Sequence, residues 1–341
     1  MHDDLVVFPL PQIDRAWQAT NLVALKQRLA PLRRRKDGTL CTEMSGLHFL
    51  VVTKEGTALR FWLMEQSKPS TGVIQSEIDL DNPLALVEPY TQAMLLALLW
   101  CPDPAMVYLA GFGGGRIPTV LHHFYPAATV VSTEIDPQIV PVAEQYFGVR
   151  QDERLQVIIQ DGRTYLAEHD ATYDLILLDA FLDNGYTPYR LATVEFFRLC
   201  RQRLRPGGVV VLNILPGDDH AAKKAAAMAT VFAHVMEFTL DHENTILFGG
   251  DELTYHAPDV VLRAHALEVH LGLPFPFSEH VARLRPYTPP AATAPLEDDS
   301  PPTDHATKLP SFAAPFSRVE DHWPCPCGSG LRYGECHGSP V

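Results

Sequence analysis

The sequence predicts an α/β protein built on a parallel sheet flanked by helices, with a small antiparallel β domain before it and a short tail rich in metal-ligand residues after it. Three observations predict it. The apolar run Val107-Tyr108-Leu109-Ala110 stops at the loop Gly111-Phe112-Gly113-Gly114-Gly115, and a second run closes on Glu134-Ile135-Asp136 about 20 residues later. Further β-branched runs follow in order, ending at Asp161-Gly162, at Asp179-Ala180-Phe181 and at Asn213, as expected of strands buried on both faces whose C-terminal ends open onto a crevice. Between them Ile139, Val142, Ala143, Tyr146 and Phe147 keep one face of a helix opened by Pro137. Strands and helices therefore alternate as in right-handed βαβ units.

Taken in chain order, residues 16–29 read as a helix, and Arg33-Arg34-Arg35-Lys36 as a solvated turn after it. Residues 40–80 alternate and are rich in Val, Thr, Phe and Trp, with Lys54-Glu55-Gly56 as a turn, which predicts the small antiparallel sheet. Residues 90–100 form an apolar helix that leads through Pro102 and Pro104 into the glycine-loop strand. After Asn213 an Ala-rich helix spans 220–238, a strand lies near 245–248, and 259–284 read as helical again. From 286 to 323 the composition shifts to Pro, Ala, Thr, Ser and Asp, as in a flexible, partly extended linker.

The chain has 341 residues, 46% of them hydrophobic, enough for one main domain with appendages. A net charge of -14 argues against a phosphate-backbone binder, so no nucleic-acid partner is expected, and it suits a cationic substrate. No apolar run approaches the ~18 to 20 residues that span a bilayer. The start Met1-His2-Asp3-Asp4-Leu5 lacks the basic and apolar regions of a signal peptide, which predicts a cytoplasmic protein. Cys41, Cys101 and Cys200 are scattered, as buried hydrophobes rather than a disulfide framework.

Glycines at the end of a buried strand let the backbone approach a ligand closely and take φ > 0, and Glu134 ends the next strand with a carboxylate that can accept both ribose hydroxyls. Together they read as a nucleoside pocket. No Ser-His-Asp signature or His-Glu-x-x-His motif is present, and His122-His123 read as surface or packing residues.

The ordered motifs of residues 40–250 resemble the spermidine synthase family, polyamine aminopropyltransferases on the class I S-adenosylmethionine-dependent methyltransferase fold, which is Rossmann-like. The resemblance rests on Gly72-Val73-Ile74-Gln75-Ser76, Tyr90, the loop with Gly111, Gly113 and Gly115, Glu134 and Asp136, Asp161-Gly162, and Asp179-Ala180-Phe181 leading to Pro188-Tyr189. It implies that Glu134 holds the ribose, that Asp161 contacts the adenine amino group, that Gly113 runs beside the donor's tail, and that Gln75 lies over the same pocket. The donor would be S-adenosylmethionine or its decarboxylated form, and the acceptor a small amine such as putrescine. A base must take a proton from that amine. Asp179 and Asp183 are the candidates, Asp183 displaced by one residue from the family's second aspartate, with the phenol of Tyr186 or Tyr189 in support. The chain departs from the family twice. Gly114 stands where the loop usually carries an aspartate, and Gln92 where an acid follows the tyrosine. Arg116, next to the loop, would suit a carboxylate, which favours the intact donor and methyl transfer, or transfer to an unusual acceptor.

Near the C-terminus, Cys325 and Cys327 lie one residue apart, a Gly-Ser-Gly turn follows, and Cys336-His337 supply two more ligands. Four such groups can close tetrahedrally around Zn2+, and in so short a segment metal binding would itself supply the folding energy. This tail resembles the SEC-C motif, which implies a structural zinc and docking to a protein partner.

The expected organisation is an N-terminal helical extension at 1–39, the β domain at 40–85, the catalytic domain at 86–285, the linker at 286–321 and the zinc tail at 322–341. The leading expectation is a spermidine synthase-like transferase that moves an aminopropyl group to an amine. Alternatives are a methyltransferase with a non-polyamine acceptor and a catalytically reduced, nucleoside-binding adaptor that presents its zinc tail. A homodimer is compatible with each.

Overall fold

The computed structural model describes residues 8–46, 48–65, 72–181, 187–240, 244–290 and 293–300. Helix α1 (Arg15–Arg33) starts where the Asp14 carboxylate accepts the Trp17 N–H at 2.9 Å. It runs into the basic cluster, whose four residues are exposed where the chain turns, Arg33 also pairing with Asp81 at 2.6 Å. The strands β1 (Gly38–Ser45), β2 (His48–Glu55), β3 (Ala58–Glu65) and β4 (Gly72–Asp79) form the expected small antiparallel sheet, which has four strands. The apolar segment 90–100 divides into α2 (Pro89–Met94) and a 3-10 turn, Leu95–Leu99.

There follow β5 (Met106–Ala110), α3 (Arg116–Phe124), β6 (Thr129–Glu134), α4 (Ile139–Tyr146), β7 (Leu155–Ile159), α5 (Gly162–Glu168), β8 (Tyr173–Leu178), α6 (Val194–Arg203), β9 (Leu204–Ile214), α7 (Ala221–Val231), β10 (His234–Thr239), β11 (Thr245–Gly250), α8 (Ala257–Leu271), α9 (Phe277–His280) and β12 (Leu284–Pro286). Among the described residues these strands make an eight-stranded sheet in the order β12-β10-β11-β9-β8-β5-β6-β7. From β9 to β7 every pairing is parallel. The outer strands β11, β10 and β12 run antiparallel.

The sheet is therefore mixed, not parallel throughout, and the Ala-rich helix ends at Val231 instead of Phe238. His234-Val235-Met236-Glu237-Phe238-Thr239 pairs with β11 because its β-branched and aromatic residues suit a half-buried strand better than a helix. The apolar β5 and β8 are covered on both faces, and residues such as Val107, Tyr108, Leu175 and Ile176 are fully buried.

The stretch read as a linker begins docked to the domain. The Tyr287 N–H bonds the Val235 carbonyl at 2.9 Å, and the Val194 N–H bonds the Leu296 carbonyl at 2.9 Å. Leu296 is buried, and the Asp298 carboxylate accepts from Arg163 at 2.7 Å and from the Thr193 hydroxyl at 2.8 Å. No described helix is long and apolar enough to cross a membrane.

Candidate active site

A cavity of about 570 Å³ opens at the C-terminal ends of β5, β6 and β8, where an open α/β sheet offers a ligand crevice. The glycine loop forms one wall. Gly111 adopts φ 90°, and a Cβ there would lie 2.4 Å from the Asp179 carbonyl oxygen, so only glycine fits. Gly113 also lines the cavity. Gly115 does not: it is the left-handed cap of α3, and a Cβ there would strike Phe112 and Val149 at 2.7 Å.

Glu134 ends β6 in the wall, buried. Its carboxylate accepts the N–H groups of Phe112 at 3.1 Å, Gly113 at 3.4 Å, Ile135 at 2.8 Å and Asp136 at 3.1 Å. Burial pushes this carboxyl above the usual range against the pull of those four donors. Asp136 lines the same wall and accepts the Ser45 hydroxyl at 2.6 Å, which ties β1 to the pocket. Asp161 and Gly162 form the floor. Asp161 caps α5 by accepting the Thr164 N–H at 2.9 Å, and the Gly162 carbonyl accepts the Tyr108 hydroxyl at 2.9 Å.

Strand β4 brings Gln75 and Ser76 over the loop. The Ser76 hydroxyl accepts the Gly114 N–H at 2.8 Å and donates to the Gln75 carbonyl at 2.6 Å. The small sheet is thus stitched to the nucleoside-type loop.

Asp179, just after β8, is half-buried in the cavity. Desolvation pushes its carboxyl up to about 7, against a bond from the Asn213 amide at 2.8 Å that favours the charged form. The Asn213 side-chain oxygen in turn accepts the Asn244 amide at 2.7 Å. Neither asparagine stood out in the sequence beyond Asn213 ending its strand. Tyr90 also faces the cavity, its phenol pushed well up by burial and by the nearby Asp179 charge. Gln92 turns elsewhere: its amide donates to the Leu86 carbonyl at 2.5 Å, and its oxygen meets His280 at 2.8 Å.

Tyr189 lines the cavity, whereas Asp183 and Tyr186 lie outside the described residues, as do Cys325, Cys327, Cys336 and His337. Among the described residues no cluster of His, Cys, Asp or Glu could hold a metal ion. His122 and His123 are packing residues. His122 meets the ring of Trp17 edge-on, and the His123 ring bonds Asn21 at 2.9 Å.

A crevice at the strand ends, closed by a glycine loop and an acidic strand end, on a sheet of this order, defines a Rossmann-like α/β protein. Residues 97–238 match the Spermine/spermidine synthase domain, and residues 324–339 match the SEC-C motif. The polyamine aminopropyltransferase of Chromobacterium violaceum is 31% identical over 215 residues, 62% of this chain and 82% of that protein. The enzyme of the same name from Vibrio vulnificus is 34% identical, but the chain spans only 53% of its length. The eEF1A lysine and N-terminal methyltransferase of Bos taurus is 32% identical over 198 residues, 52% of this chain and 28% of that protein. A crystal structure of a probable spermidine synthase from Corynebacterium glutamicum shares the fold at TM-score 0.56 and 19% identity, over 79% of this chain and 98% of that one. The chain belongs to the spermine/spermidine synthase family.

Proposed function

We propose that this cavity transfers an alkyl group, in the leading case an aminopropyl group, from an S-adenosyl sulfonium to a small amine, with Asp179 as base. The observation that carries the reading is the Asp179 carboxyl: held by Asn213 and raised to about 7, it is poised to take a proton near neutral pH. The amine lone pair forms a new N–C bond, the C–S bond breaks, and its electron pair neutralises the sulfonium. The proton released from nitrogen goes to Asp179. Glu134 would hold the ribose, its longest backbone bond, from Gly113, being the one a hydroxyl most readily replaces. Asp161 would meet the adenine amino group, Gln75 would cover the donor, and Asp183 and Tyr186 would complete the amine site. The acidic balance of the chain suits a polyamine such as putrescine.

A methyl-transfer reading is favoured by the likeness to the eEF1A methyltransferases and by Gly114. The product separates the two: methylthioadenosine marks transfer of the tail, S-adenosylhomocysteine transfer of the methyl group. Asp179→Asn should lower turnover by about a hundredfold or more while the donor still binds. Wild-type kcat/KM should fall as pH drops below about 7, the limb set by Asp179. Full activity in the variant, or a rate flat from pH 6 to 8, would remove Asp179 as the base. Binding of an S-adenosyl nucleoside with no transfer to any amine would leave the adaptor reading, in which the chain presents its tail. For that tail we infer a structural Zn2+ held by Cys325, Cys327, Cys336 and His337, a donor set that suits tetrahedral zinc.

A further inference from the structure

Arg116, in the first turn of α3 directly after the glycine loop, lines the cavity while being only 5% exposed. One nitrogen donates to the Pro83 carbonyl. Its Nε and its Nη1 are buried and have no hydrogen-bond partner among the described residues. No carboxylate neutralises it there either, and desolvation alone pulls the guanidinium down to about 10. A buried cation with two orphaned donors is costly unless an anion completes it, and a guanidinium presents parallel N–H groups that fit a carboxylate.

Building on the nucleoside site proposed above, we propose that Arg116 binds the α-carboxylate of the donor's amino-acid tail, so that the donor is intact S-adenosylmethionine rather than its decarboxylated form. The tail is the carboxylate source the placement favours. Arg116 flanks the loop along which that tail would run. With an intact donor the group transferred is methyl or aminocarboxypropyl, so this contact keeps the nucleoside site of the reading above and sets aside its aminopropyl case.

The test is calorimetric titration of the full chain with S-adenosylhomocysteine and methylthioadenosine, which share the nucleoside and differ in the amino-acid tail, and with S-adenosylmethionine and its decarboxylated form. Wild-type protein should prefer the carboxylate-bearing member of each pair by about tenfold or more. Arg116→Met should erase that preference and leave methylthioadenosine affinity unchanged, which also shows that the variant is folded, while Arg116→Lys should keep part of it. Equal affinities within both pairs in wild-type protein would overturn the inference and leave the nucleoside site standing. Acetate binding beside bound S-adenosylhomocysteine and lost in Arg116→Met would place the carboxylate on the acceptor, and would equally overturn the donor assignment. Binding of none of the four would overturn the site itself, and this inference with it.

Discussion

At the scale of single residues, Gly114 shows how a departure from the family pattern is fixed by a distant neighbour. A Cβ at Gly114 would lie 2.6 Å from the Ser76 Cβ and 2.8 Å from its Oγ, so the loop and β4 approach more closely than any side chain allows. The family's aspartate cannot stand there while Ser76 does. Gly114→Asp should cost about 1 to 3 kcal/mol by forcing β4 from the loop, read from denaturant midpoints. In a Ser76→Gly background much of that loss should return, with a coupling of about 1 kcal/mol or more in a double-mutant cycle. Additive losses would disconnect the two positions. The sequence displays the missing aspartate, but its cause sits 38 residues upstream. Asn213 and Asn244 are illegible for the same reason: one amide orients Asp179 and the next orients the first, through contacts made only when β9 and β11 pair.

Secondary elements were legible where periodicity was long. The helix after β6 and the β2–β3 hairpin of the small sheet follow from apolar spacing and turn residues because local packing and the local pattern agree. Element edges were less so. The segment 234–238 reads as part of the preceding helix because alanines dominate the window, and the edge strand β12 is too short for any pattern. The Pro-rich stretch after Pro286 has the composition of a linker, yet a single Leu296 side chain and the Asp298 pair with Arg163 are enough to dock its start.

The interior of α7 holds a comparable device. Lys224 is fully buried, its ammonium 2.6 Å from the Asp218 carboxylate and 2.9 Å from the Thr187 carbonyl, while the Thr187 hydroxyl bonds the Asn213 carbonyl at 2.9 Å. This knot anchors the chain as it enters the cavity wall at Pro188 and Tyr189. Lys224→Met strands a buried carboxylate and frees that carbonyl, and should cost about 3 to 5 kcal/mol in chemical denaturation. A loss below 1 kcal/mol would show that the pair is not buried in solution.

The whole molecule divides its labour along the chain. Among the described residues, those lining the cavity fall between His48 and Asn244, drawn from the small sheet, the glycine loop, the ends of the parallel strands and the first turns of α2, α3 and α4, whereas the four zinc-ligand candidates all follow residue 324. A zinc shell filled by four protein ligands has no open position for chemistry, so metal and nucleoside should act independently. Protein purified without chelator should carry stoichiometric zinc by atomic emission. Cys327→Ser, which removes a ligand, should lose most of it, because so short a segment has no core to hold the remaining ligands in place. Affinity for S-adenosylhomocysteine should stay within about twofold of wild type in the same preparation, since none of the described residues that line the cavity changes. Zinc-free wild-type protein would overturn the metal assignment. Retained zinc with lost nucleoside binding in Cys327→Ser would show instead that the tail contributes to the cavity, and that the two modules form one site.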